Sequence, residues 1–69
     1  MSDHIYRVTE VVGSSSDSVQ QAIQNGIERV SRTVRNVEWF ETTEIRGRVE
    51  DGRITAFQVG LKVGFRLEG

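Results

Sequence analysis

The sequence predicts an α+β fold of order β-α-β-β, a three-stranded antiparallel sheet wrapped around one helix. Three observations carry this. A β-branched run, Ile5 to Val12, precedes a stripe of apolar residues at helical spacing from Val19 to Val34. Beyond the stripe, two long strand-like segments flank Asp51-Gly52, a two-residue hairpin signal. Residues 1–69 read as a single domain.

The first element, I-Y-R-V-T-E-V-V, partly alternates and is rich in β-branched residues, as a strand requires. Gly13 and the serines Ser14, Ser15 and Ser16 are expected to end it. Those serines, with Asp17 behind them, are expected to cap the following helix by accepting first-turn N–H groups. The helix is expected from Asp17 to about Val34. Val19, Ala22, Ile23, Ile27, Val30 and Val34 make its apolar stripe, and glutamines and charged residues cover the rest. Glu28 and Arg32 are spaced for an i,i+4 ion pair, and Arg32 and Arg35 suit the negative end of the helix. Gly26 interrupts the stripe at a cost of about 1 kcal/mol relative to alanine, which close approach of helix to sheet would explain.

The second and third strands are expected over Val37 to Glu50 and Arg53 to Leu67. With a type I′ turn and no bulge, Val49 faces Ile54, Ile45 faces Gln58, and Trp39 faces Gly64. Phe57, Val59, Leu61, Val63, Phe65 and Leu67 then share the core face under the helix. Gln58, Gly60, Lys62, Gly64 and Arg66 share the outer face, joined in this register by Trp39, Ile45, Val49, Ile54 and Ala56. Strands of about 14 residues run roughly 46 Å, whereas a helix of about 18 residues covers roughly 27 Å. The hairpin therefore overhangs its helix and exposes sheet edges that invite pairing with other copies.

Size points the same way. A chain of 69 residues buries only about 60% of the surface that it exposes unfolded. Disulfides are excluded because the chain has no cysteine, and His4 is its only histidine. Self-association or a bound ligand is left to supply the missing stability. The formal charge of −1, with basic and acidic residues mixed along the chain, disfavours nucleic-acid binding, which needs a basic face. No apolar run approaches a membrane span, and no secretory signal is visible, so a cytoplasmic location is expected.

The inventory for catalysis is thin. Glu38, Glu41, Glu44 and Glu50 are spread along one strand, whereas paired carboxylate chemistry needs two held close. Gly60 and Gly64 lie within a strand and form no phosphate loop. Trp39, the sole tryptophan, reads either as packing or as a stacking platform beside glycines that leave room for a planar ring. Gln58 is a primary amide amid Phe57, Val59 and Leu61. It can donate and accept at once, matching the edge of a heteroaromatic ring.

The segments Asp17 to Ile27, W-F-E at 39–41, I-R-G at 45–47, and F-Q-V at 57–59 through V-G-F-R-L-E at 63–68 resemble the dodecins. These are small flavin-binding proteins of bacteria and archaea, and the likeness covers nearly the whole chain, closest to the bacterial branch. The resemblance implies a hollow homododecamer with flavins paired between symmetry-related tryptophans at subunit interfaces. It implies that Trp39 stacks on FMN, riboflavin or an FAD-type flavin and that Gln58 holds the pyrimidine edge. Arg46 would take the phosphate-bearing tail at the rim. The unbulged register sets Arg46 on the face opposite Trp39, so it reaches the site through a bulge near Gly47 or from a neighbouring subunit. Lys62 and Arg66, on the Trp39 face, are alternative phosphate contacts, and Arg66 is also a contact for coenzyme A, which some bacterial members bind. The expected function is storage and photoprotection of flavin, without catalysis. The alternatives are a coenzyme A-binding or structural oligomer with incidental flavin, and a flavin-dependent oxidoreductase.

Overall fold

The computed structural model describes residues 3–68 and has four elements: β1 (Tyr6–Ser15), α1 (Val19–Ser31), β2 (Val37–Glu50) and β3 (Arg53–Arg66). The strands form one sheet in the order β1-β3-β2, with β3 antiparallel to both neighbours. This is the β-α-β-β arrangement that the sequence predicts.

The helix lies across β1 and β3. Its stripe buries Ala22 and Val30 against Val59, Leu61 and Val63, and Val11, Val19, Ile23, Ile27, Val34 and Val37 pack around them. Close approach is built from two glycines. A Cβ on Gly13 would strike the Ala22 carbonyl oxygen, and one on Gly26 would come within 2.7 Å of Leu61 Cδ1. Asn25 adds a polar tie, its Nδ2 donating to the Ser14 carbonyl at 3.0 Å.

Three expectations near the helix need correction. Gly13 does not end β1, which continues to Ser15, paired opposite Phe57. The glycine is a mid-strand position pressed against the helix backbone. Consequently the cap moves downstream to Ser18, whose Oγ accepts from the Gln21 N–H at 2.9 Å. Ser15 instead shapes the turn by accepting from the Asp17 N–H at 2.9 Å. Glu28 also finds a different partner, accepting from Gln24 Nε2 at 3.1 Å rather than pairing with Arg32.

The hairpin turn is as expected, with Asp51 at φ 52° and Gly52 at φ 75°, both on the left-handed side that a type I′ turn demands. Asn36, at φ 64°, makes the corner from helix to β2. It is anchored by Arg66 N–H donating to its carbonyl at 3.0 Å. Asn is among the few residues that adopt this conformation readily.

The unbulged register is wrong in the middle of the hairpin. Val49 faces Ile54 and Trp39 faces Gly64, as expected, but Gln58 faces Arg46, and Ile45 faces Val59. The register shifts between Arg48 and Val49, where β3 carries the extra residue Thr55. It shifts back between Thr42 and Glu44, where β2 carries Thr43, and again at Glu38. Paired residues point to one side, so Ile45 belongs with Val59 on the helix side and not on the outer face. Gly47 and Val49 follow it by alternation, and Ile54 Cγ2 lies 3.9 Å from where a Gly47 Cβ would stand. Val49 and Ile54 therefore leave the outer face too.

The helix does not reach this part of the sheet. Phe40, Ile45, Val49 and Ile54 are exposed on its helix side, Ile45 at 59% and Ile54 at 63%. The chain is 56 Å long and 20 Å wide, with a radius of gyration of 14.3 Å. A compact domain of this length has a radius of about 11 Å. The overhang is thus an observed feature of the fold. A bare apolar strand of this extent is stable in water when another surface covers it.

Candidate functional site

The outer face of the sheet has three zones along β3, set by the pairing of Arg66 with Tyr6, Gly64 with Val8 and Trp39, Lys62 with Glu10 and Glu41, Gly60 with Val12 and Glu44, and Gln58 with Ser14 and Arg46. All five site residues predicted from the sequence, Trp39, Arg46, Gln58, Lys62 and Arg66, fall on this one face. The bulge opposite Arg48 and Val49 brings Arg46 there.

At one end the Trp39 indole lies over Gly64. A Cβ added at that glycine would be 2.6 Å from indole Cδ2 and nearer still to Cε2 and Cζ2. The missing side chain lets the ring rest on the strand, and the ring stays 41% exposed, presenting its other side outward. The expectation that glycines leave space for a ligand ring is therefore corrected, because the indole itself fills the gap at Gly64. Thr43 fills the one at Gly60, its Oγ1 2.6 Å from the position of an added Cβ.

Tyr6 stands beside Trp39, ring centroids 6.3 Å apart and planes tilted by 59°, within the range of about 4.5–7 Å of favourable aromatic pairs. Its hydroxyl donates to Glu38 Oε1 at 2.9 Å. The other oxygen of that carboxylate meets Arg66 Nη1 at 3.3 Å. Glu38 reaches both because it is the extra residue of its bulge. The hydrogen bond to Glu38, followed by desolvation, raises the Tyr6 pKa above its ordinary value. Tyr6 and Glu38 were not foreseen as site residues. The signal available was the lone tyrosine on the alternation that, through Arg66, shares the Trp39 face.

At the other end Gln58 is half-buried. Arg46 Nε donates to Gln58 Oε1 at 3.1 Å, and Arg46 Nη1 bonds Glu44 Oε1 at 2.8 Å. The guanidinium thus fixes the amide through Oε1 and is itself held by a carboxylate. Oε1 retains a second lone pair and Nε2 carries two N–H groups, so the amide still offers both donors and an acceptor. Lys62 lies between the two ends and is exposed.

The two ends are far apart. Gly64, beneath Trp39, is six positions from Gln58 along β3, which is roughly 20 Å of strand. Within one chain, Trp39 and Gln58 do not touch the same small ring. A groove of about 410 Å³ on the helix side runs between α1 and the start of β2, lined by Ile23, Ile27, Val37 and Phe40 among others. Among the described residues no group of His, Cys, Asp or Glu is placed to hold a metal ion, and no helix is long and apolar enough to cross a membrane.

The fold and this face define a small α+β protein that displays an indole, an amide and cationic side chains on one open side of its sheet. Comparison with known proteins places that class. The Dodecin family model matches residues 5–68. A dodecin of Thermus thermophilus is 42% identical over 64 residues, covering 93% of either chain. The solved dodecin of Streptomyces coelicolor is 58% identical and superposes with a TM-score of 0.93, over 100% of this chain and 99% of its own. That of Streptomyces davaonensis is 54% identical, also with a TM-score of 0.93, over 99% of this chain and 100% of its own. The chain belongs to the dodecin family.

Proposed function

We propose that this protein sequesters flavin: a homododecamer of one-domain chains, 1–69, holds FMN or a related flavin at subunit interfaces in the cytoplasm. The observation that carries the reading is the indole of Trp39 laid flat on Gly64 with its outer side free, a ready stacking surface for a planar ring. Gln58 supplies the matching polar group, an amide pre-oriented by Arg46 for a ring edge that presents both C=O and N–H.

Because these two groups are roughly 20 Å apart along β3, one ligand meets the tryptophan of one copy and the amide of another. Assembly is then a condition of binding. The overhanging hairpin and its exposed apolar side chains supply the surface for assembly, since contiguous apolar patches mark interaction sites. Cationic groups to meet a phosphate are present in Arg46, Lys62 and Arg66. Arg46 is engaged through Nε and Nη1 only, leaving the rest of its five N–H donors for an anion. These residues fit a flavin with a phosphorylated tail.

The role is holding rather than turnover. A ring stacked against indole has little room for a second substrate, and a close electron-rich indole quenches its excited state. Titrating FMN into the protein tests this, with quenched flavin fluorescence that recovers on release as the expected result. Unchanged emission overturns the reading, and binding of coenzyme A without FMN in calorimetry replaces it with the coenzyme A alternative. Turnover of bound flavin by a nicotinamide donor would instead identify an oxidoreductase. In Trp39→Ala, FMN affinity falls about tenfold or more while the elution volume on gel filtration is kept, since an aromatic stack contributes about 0.5–1.5 kcal/mol beyond burial.

A further inference from the structure

The chain has one tryptophan, one tyrosine, one methionine and no cysteine. Its stock of readily oxidised side chains is therefore small, and two of them are neighbours. The Tyr6 and Trp39 rings are 6.3 Å apart between centroids, so their edges come near van der Waals contact and no intervening residue separates the π-systems. The Tyr6 hydroxyl is hydrogen-bonded to a carboxylate oxygen of Glu38 at 2.9 Å, within the distance at which a proton passes directly between heavy atoms. The three groups form a line of indole, phenol and carboxylate.

Packing alone needs the two rings and has no use for the carboxylate. The chemistry of phenol oxidation does. A phenol that loses an electron while keeping its proton becomes a high-energy cation, whereas one that releases the proton to a base at the same moment becomes a stable neutral radical. The base must be in place beforehand, and Glu38 is. Arg66, 3.3 Å from the other carboxylate oxygen, holds that base in position. The same hydrogen bond keeps the phenol protonated, its pKa raised, so that the proton is present to be passed.

We infer that Tyr6 and Glu38 form a repair relay for Trp39: when the indole loses an electron to a one-electron oxidant, such as a photoexcited heteroaromatic ring, Tyr6 reduces it and hands its phenolic proton to Glu38. The step balances. The indole radical cation gains one electron and becomes neutral indole. The Tyr6 O–H bond breaks, its electron going to the indole and its proton to Glu38 Oε1, which leaves a neutral tyrosyl radical and a neutral carboxylic acid. A diffusible thiolate then restores Tyr6 with one electron, becoming a thiyl radical, while Glu38 returns the proton. The relay goes beyond flavin sequestration and does not require it, although a stacked flavin would be one source of the oxidant in light.

Since each aromatic is the only one of its kind in the chain, every radical signal is assignable. The test is flash photolysis of the ligand-free protein with a soluble ruthenium polypyridyl photo-oxidant and a sacrificial acceptor, read by transient absorption and electron paramagnetic resonance. In the native protein the indole radical decays as a neutral tyrosyl radical rises. Tyr6→Phe keeps the ring and removes the hydroxyl. The tyrosyl phase disappears, the indole radical lives several-fold longer, and oxidised Trp39 accumulates in the mass spectrum. Glu38→Gln keeps the tyrosine, removes the base and slows the transfer several-fold. It also provides the reading if the tyrosine variant fails to fold. An indole radical lifetime unchanged in both variants, or no tyrosyl signal in the native protein, overturns the relay. Because no flavin is added, either result is independent of FMN binding.

Discussion

The two sides of β3 are built from alternate residues of one strand, yet they obey different rules. On the helix side, Val59, Leu61 and Val63 are sealed under Ala22, Val30 and the rest of the helical stripe. On the outer side, Gln58, Lys62 and Arg66 alternate with Gly60 and Gly64, and the side chains of Thr43 and Trp39 from β2 lie over those glycines. From Val59 to Val63 the helix side is closed by the chain's own helix, whereas the outer side is left open with its aromatic and polar groups in fixed positions. Stability thus rests on one side of the backbone, and the recognition proposed above on the other. Substitutions on the first side are expected to change the folding free energy, and those on the second to change ligand affinity.

The largest expected effect is at Leu61. Leu61→Ala leaves a cavity costing about 2–5 kcal/mol, against roughly 3–10 kcal/mol of total stability for a chain of this length. Urea unfolding is expected to show a protein near the limit of folding. Gly13→Ala comes next. Its new Cβ meets the Ala22 carbonyl oxygen, backbone rather than a movable side chain, and overpacking of this kind costs about 1–3 kcal/mol, again read from the denaturation midpoint.

Gly64→Ala probes the other side. Its Cβ displaces the exposed indole, so the denaturation midpoint moves little while FMN affinity drops by tenfold or more, equivalent to about 1.4 kcal/mol. A large loss of stability with full affinity would break the division between the two sides. Arg46→Ala is smaller still in stability. It removes an exposed ion pair to Glu44, a class worth about 0–1 kcal/mol, but it frees the Gln58 amide to rotate, so weaker FMN binding is expected in calorimetry.

The smallest effect is one of pH. Tyr6 has a raised pKa, chiefly through its hydrogen bond to Glu38. The contribution of that bond is fully present below the unfolded tyrosine pKa of about 10 and is lost as pH rises through the higher folded value. Ultraviolet titration of the single tyrosine should end above the free phenol value, and the alkaline loss of stability attributable to this bond should vanish in Tyr6→Phe.

Much of this architecture was legible from residues alone. The helical stripe, the Asp51-Gly52 turn and the alternation of β3 from Ala56 to Arg66 each have a local physical cause, and each appears where expected. Trp39 opposite Gly64 was legible because two bulges cancel. Thr55 adds a residue to β3 and Thr43 adds one to β2, so the register is restored by the time it reaches Trp39. Between the bulges it is off by one, which is why Arg46 and Ile45 were assigned to each other's faces. A bulge at threonine has no composition signal, since threonine suits regular strand equally well. The helix cap was misplaced for a related reason. Every serine from Ser14 to Ser18, broken only by Asp17, can cap, and the choice of Ser18 is made by β1 continuing past Gly13 under the helix. Glu38 could not be foreseen as a bridge between Tyr6 and Arg66, because only its bulge turns it to that face.

On the sequestration proposed above, the roughly 20 Å of strand between Trp39 and Gln58 would also have a meaning for the cell's accounting of cofactor. A ligand that must touch two copies is bound by a number of chains rather than by a chain, so its retention depends on protein concentration as well as on its own. On the same proposal, the cargo would in turn hold the assembly together by mass action. Dilution or degradation of the protein would therefore discharge cofactor collectively, and a rise in cofactor would by itself protect the container that stores it.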